Sequence, residues 1–132
     1  MNILLDSSVW ISYFHTPDVH HSEAVEIVSK VLRDDNIIFI PEIIYVEVLN
    51  NIWRLTKDKQ VVERCKTVFH HSTPFVELVF GDRNFWFSYV EEIMEKISLR
   101  SSDLIIAAHI KHNSIDRFES FDKELKMQVE KL

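Results

Sequence analysis

Short apolar runs of strand type alternate along this chain with longer segments whose apolar residues recur at helical spacing. The strand-like runs cover residues 3–5, 37–40, 75–79 and 115–121. A short continuous apolar run predicts a strand that is buried on both faces of a sheet. Strands that are separated by helices pair in parallel, with the helices covering both faces. We therefore expect an α/β fold, a three-layer α/β/α sandwich with a central parallel sheet of four to five strands.

The segments between these runs predict helices over about residues 9–14, 24–32, 41–55, 59–70, 82–94, 102–111 and 122–130. In the second of them, apolar residues such as Ala24, Val28 and Val31 recur with the period of an amphipathic helix. Pro41 suits the first turn of the third helix. Pro74 is expected just before the third strand.

Composition limits the classes of protein to which the chain can belong. Its 132 residues suit a single domain, residues 1–132, with one core. No apolar run approaches the roughly 18 residues that span a bilayer, and no signal-peptide pattern is present, so we expect a cytoplasmic protein with no membrane partner. A single glycine excludes glycine-rich phosphate loops, and a single cysteine, Cys65, excludes an internal disulfide and a cysteine-rich zinc site.

The net charge of −6 argues against a protein that grips nucleic acid through a broad basic surface. It leaves room for an enzyme that touches only a few nucleotides, because part of the negative charge would belong to a metal site.

Four acidic residues lie at the edge of apolar segments or inside one: Asp6, Glu47, Asp103 and Asp122. An unpaired carboxylate in such surroundings is unfavourable unless it gains a proton or a cation. Asp6 ends the first predicted strand, Asp122 follows the last, and Asp103 opens a helix. In a parallel sheet these positions lie at the carboxyl edge, where sites form. The topology therefore predicts that the three aspartates meet at one edge.

A polar face follows Glu47 along the third predicted helix. Asn50, Asn51 and Arg54 lie three, four and seven residues further on, which places them on the same helical face. We expect this face to line a cleft, with the buried acid Glu47 at one end and groups able to contact a phosphate chain at the other. We expect Arg54, together with Arg100 near Asp103, to contact substrate phosphate.

Clustered carboxylates of this kind predict a site for Mg²⁺ or Mn²⁺. Carboxylate oxygens are hard ligands, and Mg²⁺ takes one or two of them directly while it keeps several waters. A bound metal ion makes water a better nucleophile and stabilises charge on a phosphoryl oxygen. The remaining acids can hold the waters of the metal ion, and the pattern therefore favours hydrolysis of phosphodiesters.

Four segments of the chain resemble the motifs of PIN-domain ribonucleases, in the order and spacing of that family. They are residues 4–14 (LLDSSVWISYF), 46–49 (VEVL), 99–108 (LRSSDLIIAA) and 120–122 (SFD). The resemblance implies a metal-dependent endoribonuclease for single-stranded or structured RNA. Its catalytic and metal-binding acids would be the four acidic residues named above. Ser7 and Ser120 match hydroxyl positions that help to hold this cluster in the family.

Compact members of this family are similar to the VapC toxins of type II toxin–antitoxin pairs. For this chain the resemblance implies a homodimer or a tetramer, and a small antitoxin protein that fills the active groove. It also implies products with a 5′-phosphate and a 3′-hydroxyl.

Other interpretations remain open. A non-catalytic PIN-like module that binds RNA or protein would keep the fold without the chemistry. A phosphoryl-transfer domain of receiver or phosphatase type is also conceivable. Such domains place an Asp-x-Asp motif near the first strand, and here Ser8 stands where the second aspartate would be. Each acid has an ordinary explanation as well: a helix cap, a helix dipole, or an ion pair such as Glu47 with Arg54.

The seven histidines raise a zinc hypothesis. A zinc site needs three or four convergent ligands, and no third ligand joins His109 and His112. We therefore expect the histidine clusters, His20-His21, His70-His71 and His109/His112, to lie exposed.

Overall fold

The computed structural model describes residues 1–71 and 75–132, so Pro74 lies outside the described residues. Its strands are β1 (Asn2–Leu5), β2 (Ile37–Pro41), β3 (Val76–Val79) and β4 (Arg117–Glu119). They form one sheet in the order β3-β2-β1-β4, and every pair is parallel. The predicted α/β fold with a parallel sheet is confirmed.

The helices are α1 (Ser7–Phe14), α2 (His21–Arg33), α3 (Glu42–Thr56), α4 (Lys59–His71), α5 (Glu91–Lys96), α6 (Ser101–His112) and α7 (Lys123–Glu130). A π-helical segment, Phe85–Val90, leads directly into α5. Among the described residues, no helix combines the length and the apolarity that a bilayer crossing requires.

The core surrounds the central strand β1. Ile3, Leu4 and Leu5 are successive residues and are all buried, and successive side chains of a strand point to opposite faces. Both faces of the sheet are therefore covered, as a three-layer sandwich requires.

Strand β4 is shorter than the sequence predicts, because its flanking residues form other contacts. Asp116 accepts a hydrogen bond through its side chain from the Asn2 amide (2.8 Å). At the other end, the Phe121 amide donates to Ser8 Oγ (3.1 Å) instead of continuing a ladder. The expected strand over residues 115–121 is therefore limited to Arg117–Glu119.

The single glycine allows the π-helical segment to pack closely against the end of β3. A Cβ atom at Gly81 would lie only 2.8 Å from Cε1 of the Phe85 ring, and that ring is completely buried. Asp82 then accepts a hydrogen bond from the Phe85 amide (2.8 Å) and fixes the first turn.

Candidate metal and active site

Asp6 lies at the junction between β1 and α1. It occupies the N-cap position of α1, yet its side chain makes no capping hydrogen bond. Its Oδ2 atom instead accepts hydrogen bonds from Ser120 Oγ (2.8 Å) and Ser8 Oγ (3.1 Å). Asp6 is one of the few charged residues that are buried in the described part of the chain, at 6% exposure. Helix capping therefore does not explain this acid.

Two serine hydroxyls connect Asp6 to the segment that follows β4. Ser8 Oγ accepts a hydrogen bond from the Phe121 amide, and Ser120 Oγ accepts one from the Asp122 amide (3.0 Å). Because the carboxylate and the amides fix the donor and acceptor roles of both hydroxyls, the direction of the network is set. The Ser7 hydroxyl makes no hydrogen bond within the described part of the chain. The resemblance singled out Ser7 and Ser120, and the contact of Ser8 with Asp6 was not expected from the sequence.

Glu47 projects from α3 towards the other acids. Its Oε1 atom is buried and has no hydrogen-bond partner among the described residues. The pKa of Glu47 is raised by burial and, in addition, by the negative charges of Asp6 and Asp103. Glu47 forms no ion pair with Arg54 or with any other described cation. Asn51 donates to the backbone carbonyl of Glu47 (2.7 Å) and leaves the carboxylate uncompensated.

Asp103 lies in the first turn of α6. Its carboxylate makes no hydrogen bond within the described residues. Burial raises the pKa of Asp103, the charges of Asp6 and Asp122 raise it further, and the Arg100 guanidinium opposes them. Asp103 therefore lies within electrostatic range of the two other aspartates.

Asp122 is exposed at the N-cap of α7. Its Oδ1 atom accepts a hydrogen bond from the Leu125 amide (3.1 Å). One oxygen of Asp122 therefore acts as an ordinary helix cap. The effect of its charge on Asp103 still places it at the edge of the cluster.

Comparison with known proteins identifies the family. The PIN domain family matches residues 3–129. The chain belongs to the PIN domain family. No curated protein sequence matches it significantly. The family resemblance inferred from the four motifs is confirmed.

Solved structures show the same fold. VapC20 of Mycobacterium tuberculosis, a sarcin-ricin loop cleaving toxin, is 12% identical and superposes with a TM-score of 0.75, over 95% of this chain and 93% of VapC20. VapBC2 from Rickettsia felis, in a structure bound to a DNA fragment from their promoter, is 16% identical to this chain. It superposes with a TM-score of 0.67 over 96% of this chain and 92% of the VapBC2 chain. At such identities the similarity concerns the fold, and function depends on the site itself.

The acids of this PIN domain suit a hydrated hard cation. In residues 1–71 and 75–132, no three His, Cys, Asp or Glu side chains lie close enough together to form a ready metal cage. Mg²⁺ does not need such a cage, because it binds one or two carboxylates and reaches others through water. The unpartnered buried oxygen of Glu47 is a free ligand atom within this set. The donor chemistry therefore fits the expected metal.

The two candidate phosphate-binding arginines lie on α3 and just before α6, the helices that carry Glu47 and Asp103. Arg100 precedes α6 and acts on Asp103 through its charge. Arg54 lies in the last turn of α3 and is exposed. Neither arginine forms an ion pair with a described acid, so both remain available to an anionic ligand.

The prediction that the histidine clusters lie exposed is wrong for His109, which is completely buried. Its ring stacks on Phe85 (4.2 Å between centroids), and its Nε2 atom lies 3.2 Å from Oε2 of Glu42. Burial lowers the pKa of His109, and the charge of Glu42 opposes this effect. His109 packs α6 against the start of α3. The side chain of His71 lies outside the described part.

Cys65 is also a packing residue. It is buried, and burial raises the pKa of its thiol to about 12. A thiol of that kind is not a nucleophile.

Proposed function

We propose that this PIN domain is a Mg²⁺- or Mn²⁺-dependent endoribonuclease that hydrolyses phosphodiester bonds in single-stranded or structured RNA. Glu47 is the observation that carries the proposal. Its buried, unpartnered oxygen and its raised pKa indicate a carboxylate that is held near two other acids without a compensating cation. A structural protein gains nothing from that arrangement, whereas a divalent ion would relieve the repulsion.

The chain's own residues have distinct parts in this chemistry. Asp6 and Asp103 would hold the metal ion, and Glu47 and Asp122 would bind it directly or through water. A bound ion supplies a more acidic water and stabilises charge on the phosphoryl oxygen. One of the carboxylates would help to deprotonate the attacking water.

Other residues would support the acids and the substrate. Ser8 and Ser120 orient Asp6. Arg54 and Arg100 contact the phosphates that flank the cleaved bond. The role expected for the Ser7 hydroxyl stays a prediction. The products would carry a 5′-phosphate and a 3′-hydroxyl, as in the family.

We further propose that the protein is the toxin of a toxin–antitoxin pair and acts in the cytoplasm. Support comes from VapC20, a toxin, and from VapBC2, each of which superposes over more than nine-tenths of this chain. The expected partners are a small antitoxin protein and a second copy of the chain, as a homodimer or a tetramer. Expression without the antitoxin should arrest growth, and expression of an Asp6→Asn variant should not.

The test of the catalytic proposal is cleavage of labelled RNA by the purified protein with Mg²⁺ or Mn²⁺. Asp6→Asn and Glu47→Gln should lose activity, whereas Glu95→Gln, which changes an exposed glutamate of α5, should retain it. Chelation of the metal should abolish cleavage by the wild type. Cleavage by Asp6→Asn at the wild-type rate would refute the mechanism.

One observation favours the second candidate, a non-catalytic module that binds RNA or protein. No three potential metal ligands converge within the described ranges. Under this alternative, the wild type would bind RNA or a protein partner without cleaving RNA, with or without divalent ions.

A further inference from the structure

A histidine and a phenylalanine stack on one another at the rim of the acidic cluster. The rings of His20 and Phe121 lie 4.6 Å apart between centroids and are inclined by 20°. Phe121 stands between Ser120, which binds the Asp6 carboxylate, and Asp122. The stack therefore adjoins the proposed catalytic centre through the chain and through its hydrogen bonds.

Hydrogen bonds hold both members of the stack in place. On one side, the Phe121 amide donates to Ser8 Oγ. On the other side, Asp18 Oδ1 accepts bonds from the His20 amide (2.8 Å) and from the buried Ser12 hydroxyl (2.9 Å). The loop that carries His20 is thereby tied to α1. These bonds fix the backbone at both residues of the stack.

Neither helix capping nor a close ion pair accounts for the position of the His20 side chain. His20 occupies the N-cap position of α2, but its side chain makes no capping hydrogen bond. Its contact with Glu23 is long, at 3.9 Å, and its side chain is 50% exposed. An ion pair of that kind contributes little. One ring face rests on Phe121, and the exposed part of the ring remains available to a planar ligand.

We infer that the His20–Phe121 stack is a nucleobase platform, on which an unpaired base of the RNA stacks so that its phosphate is positioned at the acidic cluster. The inference rests on the proposed function and deepens it, because it requires an unpaired nucleotide in the substrate beside the cleaved bond. Stacking tolerates any base, since every base has an aromatic face. His20 acts here by positioning and has no part in proton transfer.

The test compares His20→Ala with His20→Phe, which keeps an aromatic ring. A fluorescently labelled pool of random 12-nucleotide single-stranded RNA is the probe, with Mn²⁺ present. His20→Ala should raise KM about tenfold, as loss of one stacked base predicts, and should leave kcat within twofold. His20→Phe should restore KM. His112→Ala is the matched control, because His112 also contacts aromatic rings but lies at the far end of α6.

A second measurement separates this inference from the catalytic proposal. Binding of the same RNA is followed by fluorescence anisotropy in an Asp6→Asn background, where cleavage is absent. If the wild type cleaves no RNA but His20→Ala still weakens binding and His20→Phe restores it, the catalytic proposal fails and the platform stands. Unchanged binding in His20→Ala, or binding by His20→Phe that is as weak as by His20→Ala, would overturn the platform.

Abasic nucleotides test the stack directly. Abasic sites are placed one at a time along a cleaved oligonucleotide. At one position, removal of the base should weaken binding to the wild type but should not weaken binding to His20→Ala any further. Additive losses at every position would show that no base stacks on His20.

Discussion

Two neutral hydroxyl donors orient the carboxylate of Asp6. The hydroxyls of Ser8 and Ser120 donate hydrogen bonds to one carboxylate oxygen of Asp6. Their own oxygens accept hydrogen bonds from backbone amides. A donor without charge orients a carboxylate and leaves it able to attract a cation. The hydroxyl pair thus links the end of β4 to the acid that ends β1.

Replacement of Ser120 by alanine tests this link. The variant loses the shorter of the two bonds to Asp6 and leaves the Asp122 amide without its acceptor. If Asp6 holds the metal ion as proposed, metal-dependent cleavage should fall by roughly 10- to 100-fold, the usual effect of losing a residue that orients a metal ligand. Ser88→Ala is the control, because the Ser88 hydroxyl donates only to Asn84 in an exposed position. Equal activities of the two variants would contradict the role.

Glu47 should lower the free energy of unfolding of the protein when its carboxylate is charged. Because its pKa is raised above the ordinary value of 4.5, the folded state binds this proton more tightly than the unfolded chain. The free energy of unfolding therefore falls as pH rises through the interval between 4.5 and the raised value. Glu47→Gln removes this effect. With a chelator present, it should be more stable than the wild type at pH 7 and equal to it below pH 4.5.

Urea unfolding at both pH values measures this difference, and Glu95→Gln serves as the exposed control. A Glu47→Gln protein that is less stable than the wild type at pH 7 would show that the carboxylate makes a favourable contact. Such a result would remove the main support for a cation site.

The sequence was informative about the acids and less so about their surroundings. Topology alone indicated that Asp6, Asp103 and Asp122 belong to one edge, because parallel strands share their carboxyl ends. Which of Ser7 and Ser8 faces Asp6 depends on the backbone angles of one turn. The contact of His20 with Phe121 joins residues that are distant in the chain, and no local pattern encodes it.

At the scale of the elements, α3 and α6 each bring one acid to the site and are packed together by His109 and Glu42. Long amphipathic segments predicted helices well: the third was expected over residues 41–55 and is found at Glu42–Thr56. The short strand β4 was predicted too long, since side-chain hydrogen bonds compete with the ladder at both of its ends. The π-helical segment has no periodicity that distinguishes it from an α-helix in so few residues.

Gly81→Ala tests the close packing of the π-helical segment. Alanine restricts the unfolded chain and so favours folding by about 0.4–1 kcal/mol. Overpacking against the buried Phe85 ring costs about 1–3 kcal/mol, so the variant should be less stable overall. Phe85→Leu should relieve the collision, and the two substitutions should therefore be non-additive in thermal or urea unfolding. Simple additivity would show that the ring does not limit this position.

At the scale of the whole molecule, a net charge of −6 means that the proposed RNA substrate would be held by few cations. Each phosphate contact to a single strand contributes about 0.7 to the slope of log affinity against log salt. Arg54→Gln should therefore weaken RNA binding and reduce this slope by about 0.7. Arg33→Gln, at the exposed end of α2, should change neither quantity. If both variants behave as the wild type, Arg54 does not touch the substrate.

Calorimetric titration with Mn²⁺ measures most directly whether the scattered carboxylates act as one centre. The wild type should bind the ion, and both Asp6→Asn and Asp103→Asn should bind it much more weakly, whereas Glu95→Gln should bind it as the wild type does. A wild type that binds no Mn²⁺, or aspartate variants that bind it with unchanged affinity, would contradict the account.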